Sequence, residues 1–232
     1  MKIYLSDIRP LADETLSQRA GELLTKERRE RAARCRNAAD RWRSLGAGLL
    51  LEYGLRERGA SLLTENHGYD TVWVERGAYG KPYIKDRKNL GFNLSHSGDY
   101  VVAVFAEYPA GIDIERVRRP RPAMVERCFS SEEREVLRSR ADVEIAFTEL
   151  WTRKESYSKA VGEGLHLPLA DFSVLGEQIG EYQLYTFLAD AIGLPEGYIL
   201  SVCAAGPVET VIQTIEIETM IDRMGKGRIS YV

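Results

Sequence analysis

Asp113 and Glu115 stand two residues apart in the run Gly111-Ile112-Asp113-Ile114-Glu115. In an extended strand that spacing turns both carboxylates to one side and Ile112 and Ile114 to the other. Carboxylates about 7 Å apart along a strand repel each other unless a cation lies between them. Oxygen donors with no His or Cys beside them suit Mg²⁺, which takes one or two carboxylates together with substrate phosphates. Taken alone, a D-x-E pair reads first as a strand with one charged, wet face.

A downstream helix, Phe147-Thr148-Glu149-Leu150-Trp151-Thr152-Arg153-Lys154-Glu155-Ser156-Tyr157-Ser158-Lys159-Ala160-Val161, changes that weighting. Its apolar stripe holds Phe147, Leu150, Trp151 and Val161, and a step of about 100° per residue puts Lys154 in the middle of the stripe. A lysine aimed inward needs an anion or must snorkel along its stem. Glu155 lies on the edge of the stripe as a natural third carboxylate, with Lys159 one turn on. An ordinary surface pair at i,i+4 also accounts for Glu155 with Lys159, but not for Lys154.

Groups that can receive phosphate come from three places. Asn93-Leu94-Ser95-His96-Ser97-Gly98 reads as a turn carrying hydroxyls, an imidazole and a flexible glycine, a cluster able to donate several hydrogen bonds to an anion. Gly80-Lys81-Pro82 offers a lysine in a rigid turn, although the chain contains no Walker A loop. The stretch from Lys26 to Arg43 carries Arg28, Arg31 and Arg43 among seven arginines, whose planar forks suit bidentate phosphate contacts. Each of the two turns, taken singly, reads first as a plain polar turn, and the arginine stretch is alternatively a solvated face balanced by Glu27 and Glu30. Ser130 with Glu133 three residues later forms a capping-box pattern; Glu133 is alternatively a proton acceptor for an attacking hydroxyl.

The elements that must carry these groups read as α+β. Met1–Ile8 alternates as a first strand. From Asp13 to about Arg58 the chain is helical with breaks near Thr25 and Asn37, and the segment from Arg41 to Leu55 is a packed helix. Thr71–Val74 reads as a short strand before a turn-rich stretch. Tyr100–Ala106 and Ile112–Ile114 flank a Pro/Gly turn and read as a hairpin. A short helix after Pro122, a helix from Ser130 and a third from Asp142 to Gly162 follow. Strands are expected at Phe172–Leu175, Gln183–Phe187, Ile199–Ala204 and Val208–Ile217, then a loose end from Met224. The seam falls near Pro109–Gly111, so the expected halves are 1–109 and 110–232, intimately packed.

The 232 residues hold 44% hydrophobic and 29% charged residues, the balance of a globular protein able to bury a core without staples. A net charge of −3 argues against bulk nucleic-acid affinity. No run approaches the roughly 18–20 apolar residues of a membrane span. The N-terminus has no signal-peptide core, and three scattered cysteines fit neither zinc nor a disulfide framework. The expectation is a reduced, cytoplasmic protein with no membrane partner.

Together, Tyr79-Gly80-Lys81-Pro82, FNLSHSGDYVVAVFA, GIDIE, FSSEE and WTRKESYSKAVGEGL, in this order, resemble the Sfp-type 4′-phosphopantetheinyl transferases. GIDIE followed by WxxKExxxK is the specific part; the likeness is clear from about Tyr79 to Leu169 and fades after Phe172. The resemblance implies two pseudo-symmetric α/β halves in one chain with the active site at the seam. It implies an enzyme that moves the phosphopantetheine arm of coenzyme A onto a serine of an apo acyl, peptidyl or polyketide carrier protein, releasing 3′,5′-ADP. Residue by residue, it makes Asp113, Glu115 and Glu155 ligands of Mg²⁺. Gly80, Lys81, Pro82, Ser95 and His96 become coenzyme A contacts, and Arg28, Arg31 and Arg43 grips for its ribose and 3′-phosphate end. Lys159 becomes a phosphate or leaving-group contact and Glu133 a carboxylate lining the site. Glu155, Glu133 or a metal-bound water would take the serine proton. Some members carry lysine at the positions of Arg28 and Arg31, which changes hydrogen-bond geometry though not charge. The resemblance also implies a monomer. Carrier docking is expected on the stretch from Arg118 to Glu126 and on the helix from Ser131. Two rivals remain: a Mg²⁺-dependent pyrophosphohydrolase of coenzyme A-like nucleotides, and a non-catalytic module that binds carrier proteins.

Overall fold

A computed structural model describes residues 1–64, 68–208 and 211–226. The N-terminal part runs β1 (Lys2–Asp7), α1 (Glu14–Glu22), α2 (Lys26–Ala33), α3 (Ala38–Arg56), β2 (Ala60–Ser61), β3 (Asp70–Thr71), β4 (Val74–Arg76), β5 (Pro82–Ile84), β6 (Gly91–Ser97) and β7 (Tyr100–Ala106). Then come β8 (Ala110–Arg116), α4 (Pro122–Cys128), α5 (Ser131–Ser139), α6 (Val143–Val161), β9 (Gln178–Ile179), β10 (Tyr182–Leu188), β11 (Tyr198–Ala204), β12 (Ile212–Thr214) and α7 (Ile217–Gly225). Polar side chains start the first three helices where expected. Asp13, Thr25 and Asn37 each accept a backbone N–H in the first turn of α1, α2 and α3, satisfying donors that the helix itself cannot.

Two four-stranded sheets, ordered β12-β1-β7-β6 and β8-β11-β10-β9, lie face to face between helices. Strand alternation builds the layers. Val101, Ala103 and Phe105 of β7 face α3, while Val102, Val104 and Ala106 turn inward with Ile3 and Leu5 of β1 to meet Ile112, Ile114, Leu200 and Val202 of the second sheet. Helix α6 covers the outer face of β8 and β11. The order is helices, sheet, sheet, helix, an α+β architecture with a polar seam where the edge strands β6 and β8 run alongside.

Five expectations need correction. Tyr100–Ala106 and the Ile112–Ile114 run are not a hairpin: β7 pairs with β1 and β6, and β8 pairs with β11. The turn between them is where the chain passes from one sheet to the other. The segment from Asn93 to Gly98 is not a turn either; its first five residues complete β6, and only Gly98, at φ +54, bends the chain. Thr71–Val74 divides between β3 and β4, with β4 pairing to β5 across the Gly80 turn. No strand forms at Phe172–Leu175, because side chains occupy its backbone groups: Lys154 donates to the carbonyl of Phe172, Arg153 to that of Val174, and the Val174 N–H to Glu133.

The fifth concerns the tail. Among the described residues of the expected last strand, which leave out 209 and 210, Ile212–Thr214 pair, parallel to β1, and α7 then packs on α3 with Ile217, Met220, Ile221 and Met224 buried. Buried Arg56 donates to the Met224 carbonyl. Residues 212–225 therefore complete the N-terminal half, which is not a simple 1–109 unit. The apolar i, i+3, i+4, i+7 spacing of those four residues was the available signal. Of the end expected to be loose, Met224 and Gly225 close α7, and 227–232 lie outside the described residues. Among the described residues no helix is long and apolar enough to cross a membrane.

Candidate active site

Helix α6 reaches β8 at Gly111, where a Cβ would collide with the Ser156 carbonyl oxygen and the Ala160 backbone nitrogen. Glycine thus allows backbone to meet backbone. This brings Glu155 and Lys159, one turn apart on α6, over the face of β8 that carries Asp113 and Glu115. The Lys159 ammonium donates to Asp113 Oδ1 at 2.6 Å, to Ser95 Oγ at 3.2 Å and to the Ile112 carbonyl at 3.2 Å.

From the other sheet, β6 presents Asn93, Ser95 and Ser97 on one face. Asn93 Oδ1 accepts the N–H of Ile112 at 3.0 Å, Ser95 Oγ that of Ile114 at 3.4 Å, and Ser97 Oγ that of Arg116 at 3.0 Å. The two serines then donate onward, Ser95 to Asp113 Oδ1 at 2.7 Å and Ser97 to Glu115 Oε2 at 2.9 Å.

Negative charge is concentrated here. Burial, followed by the Asp113 charge, raises the pKa of both Glu115 and Glu155. Asp113 Oδ2 is buried and has no hydrogen-bond partner among the described residues, which is costly for a charged group. Among the described residues no three carboxylates already stand as a metal-binding group; Lys159 is the cation that the cluster holds. An orphaned carboxylate oxygen, two further acids within electrostatic reach and an all-oxygen donor set fit a hard divalent cation such as Mg²⁺.

On the opposite face of β6, Phe92, Leu94 and His96 line a cleft of about 660 Å³ with Arg28, Arg31, Trp73, Arg76 and Pro82. Burial, and then the Arg31 charge, lower the pKa of Arg28, so the cleft holds cationic charge at a cost that a bound anion would relieve. Burial, followed by the charge of Arg43 and less strongly that of Lys159, pushes the His96 imidazole down.

The expected binding set is divided by this geometry. Arg28, Arg31, Pro82 and His96 line the cleft. Arg43 braces the turn after β6 through the Gly98 carbonyl at 2.9 Å and pairs with Asp40. Ser95 faces Asp113. Gly80, at φ +83, forms the β4–β5 turn, and Lys81 points to the end of α6, donating to the Ala160 carbonyl at 2.8 Å. Burial pushes its ammonium down to about 8. Sequence reading passed over Trp73, 61% exposed in the cleft, and took Asn93–Ser97 for an anion-binding turn and not for a comb on β8. An unpaired aromatic beside arginines and an N-x-S-x-S alternation were the signals.

Glu133 does not line this site, contrary to expectation. It is fully enclosed: Oε2 meets Lys154 Nζ at 2.9 Å and accepts the Ser130 N–H, and Oε1 accepts the Val174 N–H. The capping box is present. Lys154, expected to need an inward anion, has it in Glu133 and also donates to the carbonyls of Leu169 and Phe172. Both groups lock α5, α6 and the 169–174 segment together.

Residues 9–108 match the family description 4′-phosphopantetheinyl transferase, N-terminal, and residues 109–203 match 4′-phosphopantetheinyl transferase superfamily. The chain is 33% identical over 219 residues to the 4′-phosphopantetheinyl transferase ffp of Bacillus subtilis, covering 89% of this chain and 93% of that protein. It is likewise 33% identical over 220 residues to 4′-phosphopantetheinyl transferase Sfp of Bacillus subtilis strain 168, with the same coverage. The human L-aminoadipate-semialdehyde dehydrogenase-phosphopantetheinyl transferase is 34% identical over 139 residues, 50% of this chain and 44% of that protein.

Proposed function

Because this chain belongs to the Sfp-type 4′-phosphopantetheinyl transferases, we propose that it transfers the phosphopantetheine arm of coenzyme A to a serine hydroxyl of an apo carrier protein, with 3′,5′-ADP as the other product. The observation that carries the reading is the seam itself. Lys159 pairs with Asp113 Oδ1 at 2.6 Å, Asp113 Oδ2 has no hydrogen-bond partner among the described residues, and Glu115 and Glu155 lie within electrostatic reach of Asp113, beside β6, whose other face lines the arginine cleft.

Arg28, Arg31 and His96 in the cleft hold the nucleotide end of coenzyme A, where guanidinium forks match phosphate oxygens. Trp73 offers its exposed ring to the base. Asp113, Glu115 and Glu155 are the residues that would hold Mg²⁺, which when bound neutralises charge on the pyrophosphate. Lys159 spends its charge on Asp113 in the free protein and turns it to the leaving phosphate in the complex. The serine oxygen forms its bond to phosphorus as the bond from phosphorus to the bridging oxygen breaks, and charge collects on 3′,5′-ADP. Of the two carboxylates weighed as acceptors of the serine proton, Glu133 is enclosed away from the seam and Glu155 stands at it.

The test is to weigh an apo carrier domain after incubation with the protein, coenzyme A and Mg²⁺. A mass gain of one phosphopantetheine arm is expected, lost in Asp113→Ala and with a chelator present. No gain on peptidyl, polyketide and acyl carriers, with coenzyme A broken down instead, would establish the pyrophosphohydrolase; intact coenzyme A would leave a binding module. We place the reaction in the cytoplasm and on a monomer, which sedimentation of the free protein checks. The carrier docks on α4, which buries none of its own residues, and on the preceding arginines. Charge reversal of Arg118 and Arg121 should raise the carrier KM, and an unchanged KM would rule this face out.

A further inference from the structure

The comb on β6 does more than close a sheet edge. β8 pairs with β11 on one side only, which leaves the N–H groups of Ile112, Ile114 and Arg116 as an unpaired edge. Asn93, Ser95 and Ser97 satisfy all three with side-chain oxygens in place of a backbone ladder. A backbone carbonyl in that place would only accept. A serine hydroxyl that accepts an N–H still has one proton to donate. Both protons go to the acidic pair, from Ser95 to Asp113 Oδ1 and from Ser97 to Glu115 Oε2.

Ser95 is also tied to Lys159, so its effects mix with those of the seam lysine. Among the described residues the Ser97 hydroxyl bonds only to the Arg116 N–H and to Glu115. Its hydroxyl rotor is set by the backbone, and its proton holds one named oxygen of one carboxylate. Glu115 is half-buried, with Asp113 repelling it; unheld, its side chain would swing away from Asp113.

We infer that Ser97, on the N-terminal half, is the positioning residue of Glu115 on the C-terminal half, fixing Oε2 so that Oε1 is presented to a divalent cation beside Asp113. The inference rests on the metal-dependent reading above. It makes cation affinity a property of the contact between halves: either half alone lacks an aligned acidic pair. Groups that orient ligating carboxylates typically contribute 10–100-fold in metal affinity.

Mn²⁺ is the probe, titrated into the full chain with coenzyme A and read by its electron paramagnetic resonance. Ser97→Ala should weaken Mn²⁺ binding by about 10-fold or more, with the kcat at saturating metal largely restored and the coenzyme A KM unchanged. Ser97→Thr, which keeps the hydroxyl, should bind as the wild type does. Ser97→Cys keeps size but donates weakly, and carries the test should the alanine variant not fold. Combining Ser97→Ala with Glu115→Gln should give no further loss beyond Glu115→Gln alone. Wild-type affinity in Ser97→Ala and Ser97→Cys, or a loss that threonine fails to rescue, overturns the inference. Absence of Mn²⁺ binding by the wild type would instead remove the metal-dependent reading itself.

Discussion

Exchange of Glu133 for Gln removes one negative charge from an enclosure that holds three bonds to it: Lys154 Nζ at 2.9 Å and the N–H groups of Ser130 and Val174, both at 2.8 Å. Both charged side chains are fully buried. The variant leaves the Lys154 ammonium facing two carbonyls without a counter-charge, and its amide cannot serve both N–H groups as the carboxylate does. Breaking a buried pair by neutralising one partner costs about 3–5 kcal/mol, and for a chain of this size each kcal/mol shifts Tm by about 2–4 °C. Glu133→Gln should therefore lower Tm by about 6–20 °C, followed by circular dichroism. A denaturant series should show the same loss as a lower midpoint at unchanged slope. Adding Lys154→Met, which removes the stranded charge, should recover part of the loss. At 20 °C, well below either transition, carrier modification by the folded variant should keep its kcat within a few-fold. A kcat lowered 100-fold or more with Tm unmoved would refute the structural assignment and return Glu133 to the reaction.

Gly111→Ala should separate α6 from β8, because its Cβ meets backbone of Ser156 and Ala160 that has no flexible end to yield. A loss of about 1–3 kcal/mol is expected from overpacking alone, with kcat falling further than stability explains as Glu155 and Lys159 move off Asp113; a fully active, equally stable variant would contradict the close approach. Lys81 governs a pH dependence. Its folded pKa, pushed down by burial to about 8, lies below its unfolded value near 10.5, so over pH 8–10.5 the unfolded state holds more protons and stability rises with pH. Below pH 8 both states are protonated and the full burial penalty applies. Lys81→Met should flatten that slope in urea titrations at pH 8 and pH 10, and a slope identical to the wild type would place the ammonium in water.

Helix starts at Asp13, Thr25 and Asn37, the face shared by Asp113 and Glu115, and the inward aim of Lys154 were all readable from the chain. Each rests on local chemistry: a capping oxygen, a period of two, a period of 3.6. The motif residues carried the reaction class for the same reason, since a family preserves residue types at fixed spacings around the atoms that react.

Tertiary structure decided the partners. Two β-rich runs around a Pro/Gly turn look alike whether they pair with each other or, as β7 and β8 do, with β1 and β11. Glu133 has the same sequence neighbours in a cap as in a catalytic site; only burial with Lys154 separates the two roles. Lys81, in a phosphate-friendly turn, turns instead to the end of α6. The last strand returns over two hundred residues to β1, and the last helix packs on α3, where Arg56 and Met224 lie 168 residues apart. Hydrogen bonding and burial couple groups by distance in space, which the order of residues constrains only over a few neighbours, so elements and motifs follow from the chain while the assembled seam exists only once both halves have packed.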